Sequence, residues 1–174
     1  PALLVLPLSQ VEGLDATLHL LFSETERVRC GQRILADRLF EVVLLQMLRW
    51  LLDHPQAGGV DMGLITGLAD PALARVLTAL HERPGHAWSL EAMAHHAGMS
   101  RSAFAARFKG LLGQTPADYL ADWRLSIAQS QLLRGDSVKV IGEQLGYANP
   151  SALSRVFAQR LGLSPRDWLA KNCK

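Results

Sequence analysis

Few side chains in this 174-residue chain are spaced for bond-making chemistry. His95 and His96 are adjacent, so on a helix their rings point about 100° apart and cannot form the i, i+4 clamp that holds a metal. His54, His81 and His86 add no ligand spacing. Cys30 and Cys173 form neither a CxxC pair nor a disulfide framework, so both are expected as reduced thiols in a cytoplasmic protein. Arg27, Arg29 and Arg33 are the only local cations that would activate Cys30. There is no serine–histidine–aspartate arrangement, no glycine-rich phosphate loop and no carboxylate cluster. No enzyme activity, metal or cofactor is therefore expected. The remaining candidates are cations and small polar groups that share segments with apolar residues at helical spacing. Arg101, Ser102, Ala105, Ala106 and Lys109 lie opposite Phe104 and Phe108. Asn149, Ser151, Ala152, Ser154 and Arg155 stand beside Leu153 and Phe157. Such side chains suit a polyanion. Arg101, Arg107 and Lys109 are expected to hold phosphates. Arg155 is suited to guanine O6 and N7 or to a phosphate. Asn149 fits a helix N-cap as well as a contact.

Helices must position these groups. Apolar residues make up 49% of the chain and aromatics only 6%, so a packed core built on Leu and Ala is expected, and an all-α fold with it. Charge is unevenly spread. Residues 85–174 hold 11 Lys/Arg against 6 Asp/Glu, a net of +5, whereas residues 1–84 hold 7 against 10, a net of −3. The basic half suits a polyanion partner.

An internal duplication organises that half. Phe104–Leu120 aligns without a gap on Leu153–Leu169, with 6 of 17 positions identical. They are Phe108/Phe157, Leu112/Leu161, Gly113/Gly162, Pro116/Pro165, Asp118/Asp167 and Leu120/Leu169. Upstream, Leu90, Met93, Ala97 and Gly98 match Val138, Ile141, Leu145 and Gly146, with one extra residue in the second turn. Each copy reads as a helix ended by glycine, a tight turn, and a second helix with inward apolar residues at i and i+4. That is a helix-turn-helix unit, here over 89–112 and 137–161. Gly-x-[Thr/Ser]-Pro-x-Asp then starts a further helix, with Thr115 or Ser164 as N-cap, proline at N1 and aspartate at N3. Pro116–Arg134 reads as one linker helix of roughly 28 Å, on the order of one DNA turn of about 34 Å.

The first half reads differently. Ala2–Leu6 is expected to be extended and Val11–Ser23 helical. Gln32–Leu52 is a long helix apolar on more than one face, which needs partners on two sides. One is expected to be Val11–Ser23 and the other a second chain, giving a homodimer through residues 11–52, or a domain outside this chain. Gly63–Gly67 reads as a loop or short turn, and Asp70-Pro71 starts a helix that ends at Pro84-Gly85. The boundary is placed so that 1–66 form a dimerising helical remnant and 67–174 a two-unit DNA-binding domain. No apolar run reaches the length of about 18 residues needed to span a membrane. Pro1–Leu8 lacks the basic flank of a signal peptide. The chain opens on Pro1, and a fragment or processed product is expected.

The ordered pattern over Leu90–Leu169 resembles the AraC/XylS family of bacterial transcription regulators. It includes Met99–Phe104, Phe108-Lys109, Gly113–Pro116, Tyr119-Leu120, Trp123–Leu125 with Ala128 and Leu132-Leu133, Ile141, Leu145–Tyr147, Ser154–Phe157 and Gly162–Pro165. Leu39–Leu52, Asp70-Pro71 and Val76–His81 resemble members that carry a cupin-type regulatory domain first. The resemblance implies two recognition helices in successive major-groove segments. It also implies a small-molecule effector for the full-length protein, its site mostly outside this chain, and a cytoplasmic, nucleoid-associated location. By the family pattern Ser102, Ala105 and Ala106 take base-reading positions. Two alanines there depart from it, because alanine can meet only a thymine methyl. They leave open a second function, a dimerising interaction module with a weakened DNA-binding half.

Overall fold

The computed structural model describes residues 6, 8–26, 28–54 and 63–172. The expected extended segment falls on residues 2–6, all but Leu6 outside those described. The described residues form helices and turns, without a strand. The chain divides into two compact units, Pro1–Ala69 and Asp70–Lys174.

In the first unit a 3₁₀ turn, Leu8–Gln10, leads to α1 (Leu14–Thr25), then α2 (Gln32–Asp53) and α3 (Leu64–Ala69). The first helix begins later than its apolar spacing predicts. Gly13 has φ 74°, a left-handed conformation that cannot continue a helix, and Val11 is buried in the turn before it. Helices α1 and α2 pack together around Val11, Leu14, Val43 and Trp50, with Leu18, Leu21, Met47 and Leu51 at the edge. Residues 64–69 correct the expected loop or short turn at Gly63–Gly67: they form a helix packed on α2. A glycine-containing stretch this short has little helical tendency alone, and burial of Gly67 against its surroundings overrides that tendency.

The second unit holds α4 (Pro71–Glu82), α5 (Leu90–Ala97), α6 (Arg101–Leu112), α7 (Pro116–Leu133), α8 (Val138–Gln144), α9 (Pro150–Leu161) and α10 (Pro165–Asn172). Helix α4 starts where Asp70 accepts hydrogen bonds from the Ala72 and Leu73 amides, each at 3.0 Å, with Pro71 at the first position. Its Leu73, Val76, Leu77 and Leu80 are fully buried. It packs on α5, and α5 on α6. The Phe104 and Phe108 rings meet edge to face at 5.5 Å, and Phe108 meets Tyr119 of α7 in the same way. A second core gathers Leu125, Ala128 and Leu132 of α7 with Ile141, Leu145, Leu153 and Phe157, and Trp168 of α10 closes it against Phe157. Helix α7 therefore contributes one end to each core.

Candidate nucleic-acid interface

The turns set the recognition helices. After α5, Gly98 takes φ 69° and the Met99 amide donates to the Ala94 carbonyl at 3.0 Å. After α8, Gly146 takes φ 75° and the Tyr147 amide donates to the Gly142 carbonyl at 2.9 Å. Both close with the six-to-one bond that ends a helix on a left-handed residue. Ser100 then caps α6 by accepting from the Ala103 amide, and Asn149 caps α9 by accepting from the Ala152 amide at 2.8 Å. Thr115 and Ser164 cap α7 and α10. Their hydroxyls also donate to Asp118 and Asp167, each at 2.6 Å. Aspartate is one methylene shorter than the glutamate of a capping box, and here it accepts from the cap hydroxyl.

Of the expected contact residues on α6, Arg101, Ser102, Ala106 and Lys109 are exposed and Ala105 is half-buried. Arg101 and Lys109 make no hydrogen bond or ion pair, and Ser102 touches only the Ser100 hydroxyl at 3.4 Å. On α9, Ser151 and Arg155 are exposed and unpaired, and Ala152 and Ser154 are half-buried. The Ser154 hydroxyl donates to the Pro150 carbonyl at 3.0 Å. Asn149 spends its carbonyl oxygen on the cap. The free cations are thus Arg101, Lys109 and Arg155. Arg107, expected beside them as a phosphate contact, is half exposed but already paired. Its guanidinium holds Asp70, with Nε at 2.8 Å from the carboxylate and Nη2 in a second bond. Burial works against the Asp70 carboxylate, but the Leu73 amide, the Arg107 guanidinium and the Ala72 amide together keep its pKa below the usual value.

Three further contacts hold the two units in one arrangement, and none was read from the sequence. Arg124 of α7 donates from Nε to the Pro84 carbonyl at 2.7 Å and from Nη2 to the His86 carbonyl at 2.9 Å. The same guanidinium lies 5.6 Å from the Tyr147 ring centroid. Beside it the backbones at Gly85 and Gly146 touch. A Cβ on Gly85 would stand 2.1 Å from the Gln144 carbonyl oxygen, and one on Gly146 would stand 2.2 Å from that of Gly85. Arg160 of α9 binds Asp118 and Asp122 of α7. The pairing of glycines in the two turns was the one available signal, but each glycine also has a local use that masks it.

The chemistry of this arrangement is binding. The two helix-turn-helix units stand on one 18-residue linker helix, and each presents unpaired cations. Comparison with known proteins agrees with the geometry. Residues 93–171 match a family described as a helix-turn-helix domain, and residues 1–53 match one described as cupin. A protein of Streptomyces antibioticus described as an AraC-like transcription regulator is 40% identical over 158 residues, covering 90% of this chain and 52% of that one. The HTH-type transcriptional regulator AlkR of Acinetobacter baylyi is 30% identical over 159 residues, covering 90% and 51%. Among solved structures, the DNA-binding domain of the transcriptional factor AdpA in complex with a target DNA is 32% identical. The match covers 59% of this chain and 92% of that one, with a TM-score of 0.53. An AraC-type regulator from Chromobacterium violaceum is 26% identical, covering 59% and 93%, with a TM-score of 0.53. This chain belongs to the AraC/XylS family, and its second unit has the all-α fold of that family's DNA-binding domain. It spans about half the length of the curated relatives it matches.

Proposed function

We propose that this chain is part of a sequence-specific transcription regulator that works by binding, without catalysis. Helices α6 and α9 enter two successive major-groove segments on one side of the duplex. The observation that carries this is the pair of capped helix-turn-helix units on a common linker, whose 18 residues give a length of about 27 Å. Arg101 and Lys109 hold phosphates, and Arg155 contacts a base or a phosphate. Ser151 completes the exposed face of α9. Ala105 and Ala106 give α6 no hydrogen bond to a base edge, so α6 anchors more than it reads. Residues 11–52 join two copies, and residues 1–66 are the end of a regulatory domain that answers a small-molecule effector. The protein acts in the cytoplasm, on the nucleoid. Among the described residues no helix is long and apolar enough to cross a membrane.

Selection of bound sequences from a random duplex pool at physiological salt tests this. The expected result is a motif of two blocks about 10 base pairs apart, the stronger one matched to α9. No enrichment at all would overturn it. That outcome would favour a dimerising interaction module, for which the alanines of α6 and the exposed apolar face of α2 are the supporting observations.

A further inference from the structure

We propose that the cleft between the two helix-turn-helix units is a binding site for an aromatic organic anion. The cleft measures about 640 Å³, within the range of small-molecule sites. Its walls come from both units: Leu90 and Met93 of α5, Leu120 and Ala121 of α7, and Tyr147 and Val156 beyond. The Trp88 indole borders it and is held in place by donating to the Arg83 carbonyl at 2.9 Å. These walls are apolar and prebuilt, which suits a flat hydrophobic body. Among the described residues, the charged side chains lining the cleft are Lys109 and Arg124, both cations, with no carboxylate beside them. Lys109 has no ion-pair partner, and Arg124 is fixed by its two carbonyl acceptors. An apolar chamber with two cations and no counter-charge selects a ligand that carries negative charge on an apolar frame. A phosphate backbone supplies the charge but no apolar body to cover the exposed Leu90 and the half-buried Trp88, Tyr147 and Val156.

The site has a consequence that rests on the proposed function. Ala105, Ala106 and Lys109 line the cleft and also belong to the expected DNA face of α6. A ligand seated there covers residues that DNA would use, so each lowers the affinity of the other by the same factor.

The test titrates the full chain with anilinonaphthalene sulfonate, an aromatic anion, and with phenylnaphthylamine, its uncharged analogue, by calorimetry without DNA. One saturable site is expected for the anion, with the analogue at least about tenfold weaker. Ala121→Phe fills the cleft from the linker helix and Lys109→Met removes the free cation; each should weaken the anion at least about tenfold. Leu133→Ser, at an exposed apolar residue that does not line the cleft, should leave this binding unchanged. Circular dichroism checks that Ala121→Phe folds, and the exposed Lys109→Met keeps the test decisive if it does not. Wild-type affinity in both cleft variants, or equal affinity for the two probes, would overturn the proposal. Saturating anion should also weaken duplex binding by the wild-type chain. Loss of that competition with probe binding intact would support the site and remove only its overlap with the DNA face.

Discussion

Two arginines on recognition helices have opposite fates. Arg155 is exposed and unpaired, whereas Arg107 is spent on Asp70. Arg155→Ala should therefore lower specific affinity by about 1–3 kcal/mol if it reads a base, while binding to unrelated duplexes changes little. A uniform loss across sequences would make Arg155 a phosphate contact, and near-wild-type binding to the selected site would remove it from the interface. The Asp70 pair is instead a matter of stability. Asp70 is only 8% exposed and does two jobs, capping α4 and holding Arg107. Asparagine keeps the cap and loses the charge. Asp70→Asn should cost about 1–2 kcal/mol at neutral pH, since the half-exposed arginine regains water, and Asp70→Ala about 1 kcal/mol more for the cap. The pH dependence follows from the lowered carboxylate pKa. A group whose folded pKa is depressed contributes stability above its unfolded pKa and loses it as pH falls through the folded value. The gap between wild type and Asp70→Asn should thus be full above about pH 5 and close below the ordinary carboxylate range, near 4. A gap unchanged down to about pH 2 in denaturant titrations would show that the carboxylate's charge contributes nothing.

At the scale of elements, α7 is the part that makes two readers into one. Its first half buries Leu120 and its second half Leu125, Ala128 and Leu132, so each helix-turn-helix unit is anchored to the same rigid rod. A rod fixes distance but not rotation about its axis. Rotation is set by Arg124, which ties the Pro84–His86 loop and the Tyr147 ring to one guanidinium. Arg124→Ala should leave both cores folded, at a cost of about 1–3 kcal/mol. In duplex selection it should keep both sequence blocks but broaden the spacing between them. An unchanged spacing would assign the geometry to the Gly85–Gly146 backbone contact and to Arg160 alone. Arg160 of α9 reaches Asp118 and Asp122 of α7. Its pairs are partly exposed and are worth little to stability on their own, so their weight lies in orientation.

For the whole molecule the open question is what covers α2. Only Val43 and Trp50 of its 22 residues are buried. Phe40, Leu44 and Leu48 follow one another at four-residue spacing and remain exposed, as do Ile34 and Leu45. Exposed apolar surface on this scale marks an interaction face, and a second copy is the occupant we propose. Sedimentation equilibrium at micromolar concentration should give a dimer, and Leu44→Glu should weaken it by at least about tenfold, because the charge would be buried at the seam. A monomeric wild-type chain would remove the homodimer. A dimer would also raise duplex affinity and steepen its salt dependence, since twice as many phosphate contacts release counterions.

How much of this was legible beforehand divides along one physical line. Short-range rules act within about four residues, and much of what they govern could be read from residue order: the helical periodicity, the caps at Asp70, Thr115 and Ser164, and the glycine stops at Gly98 and Gly146. The duplication then assembled those local signals into two helix-turn-helix units without any knowledge of packing. Contacts between segments far apart along the chain could not be read in this way. Arg107 finds Asp70 across 37 positions, Arg124 finds Pro84 across 40, and Arg160 finds Asp118 across 42. Which cation stays free for DNA and whether a cleft opens beside Ala105 both depend on how helices cross. Crossing is set by the shapes of the buried side chains together, and no periodicity encodes it. Residue order therefore reached the kind of protein this is, and packing decided which of its side chains are left to bind.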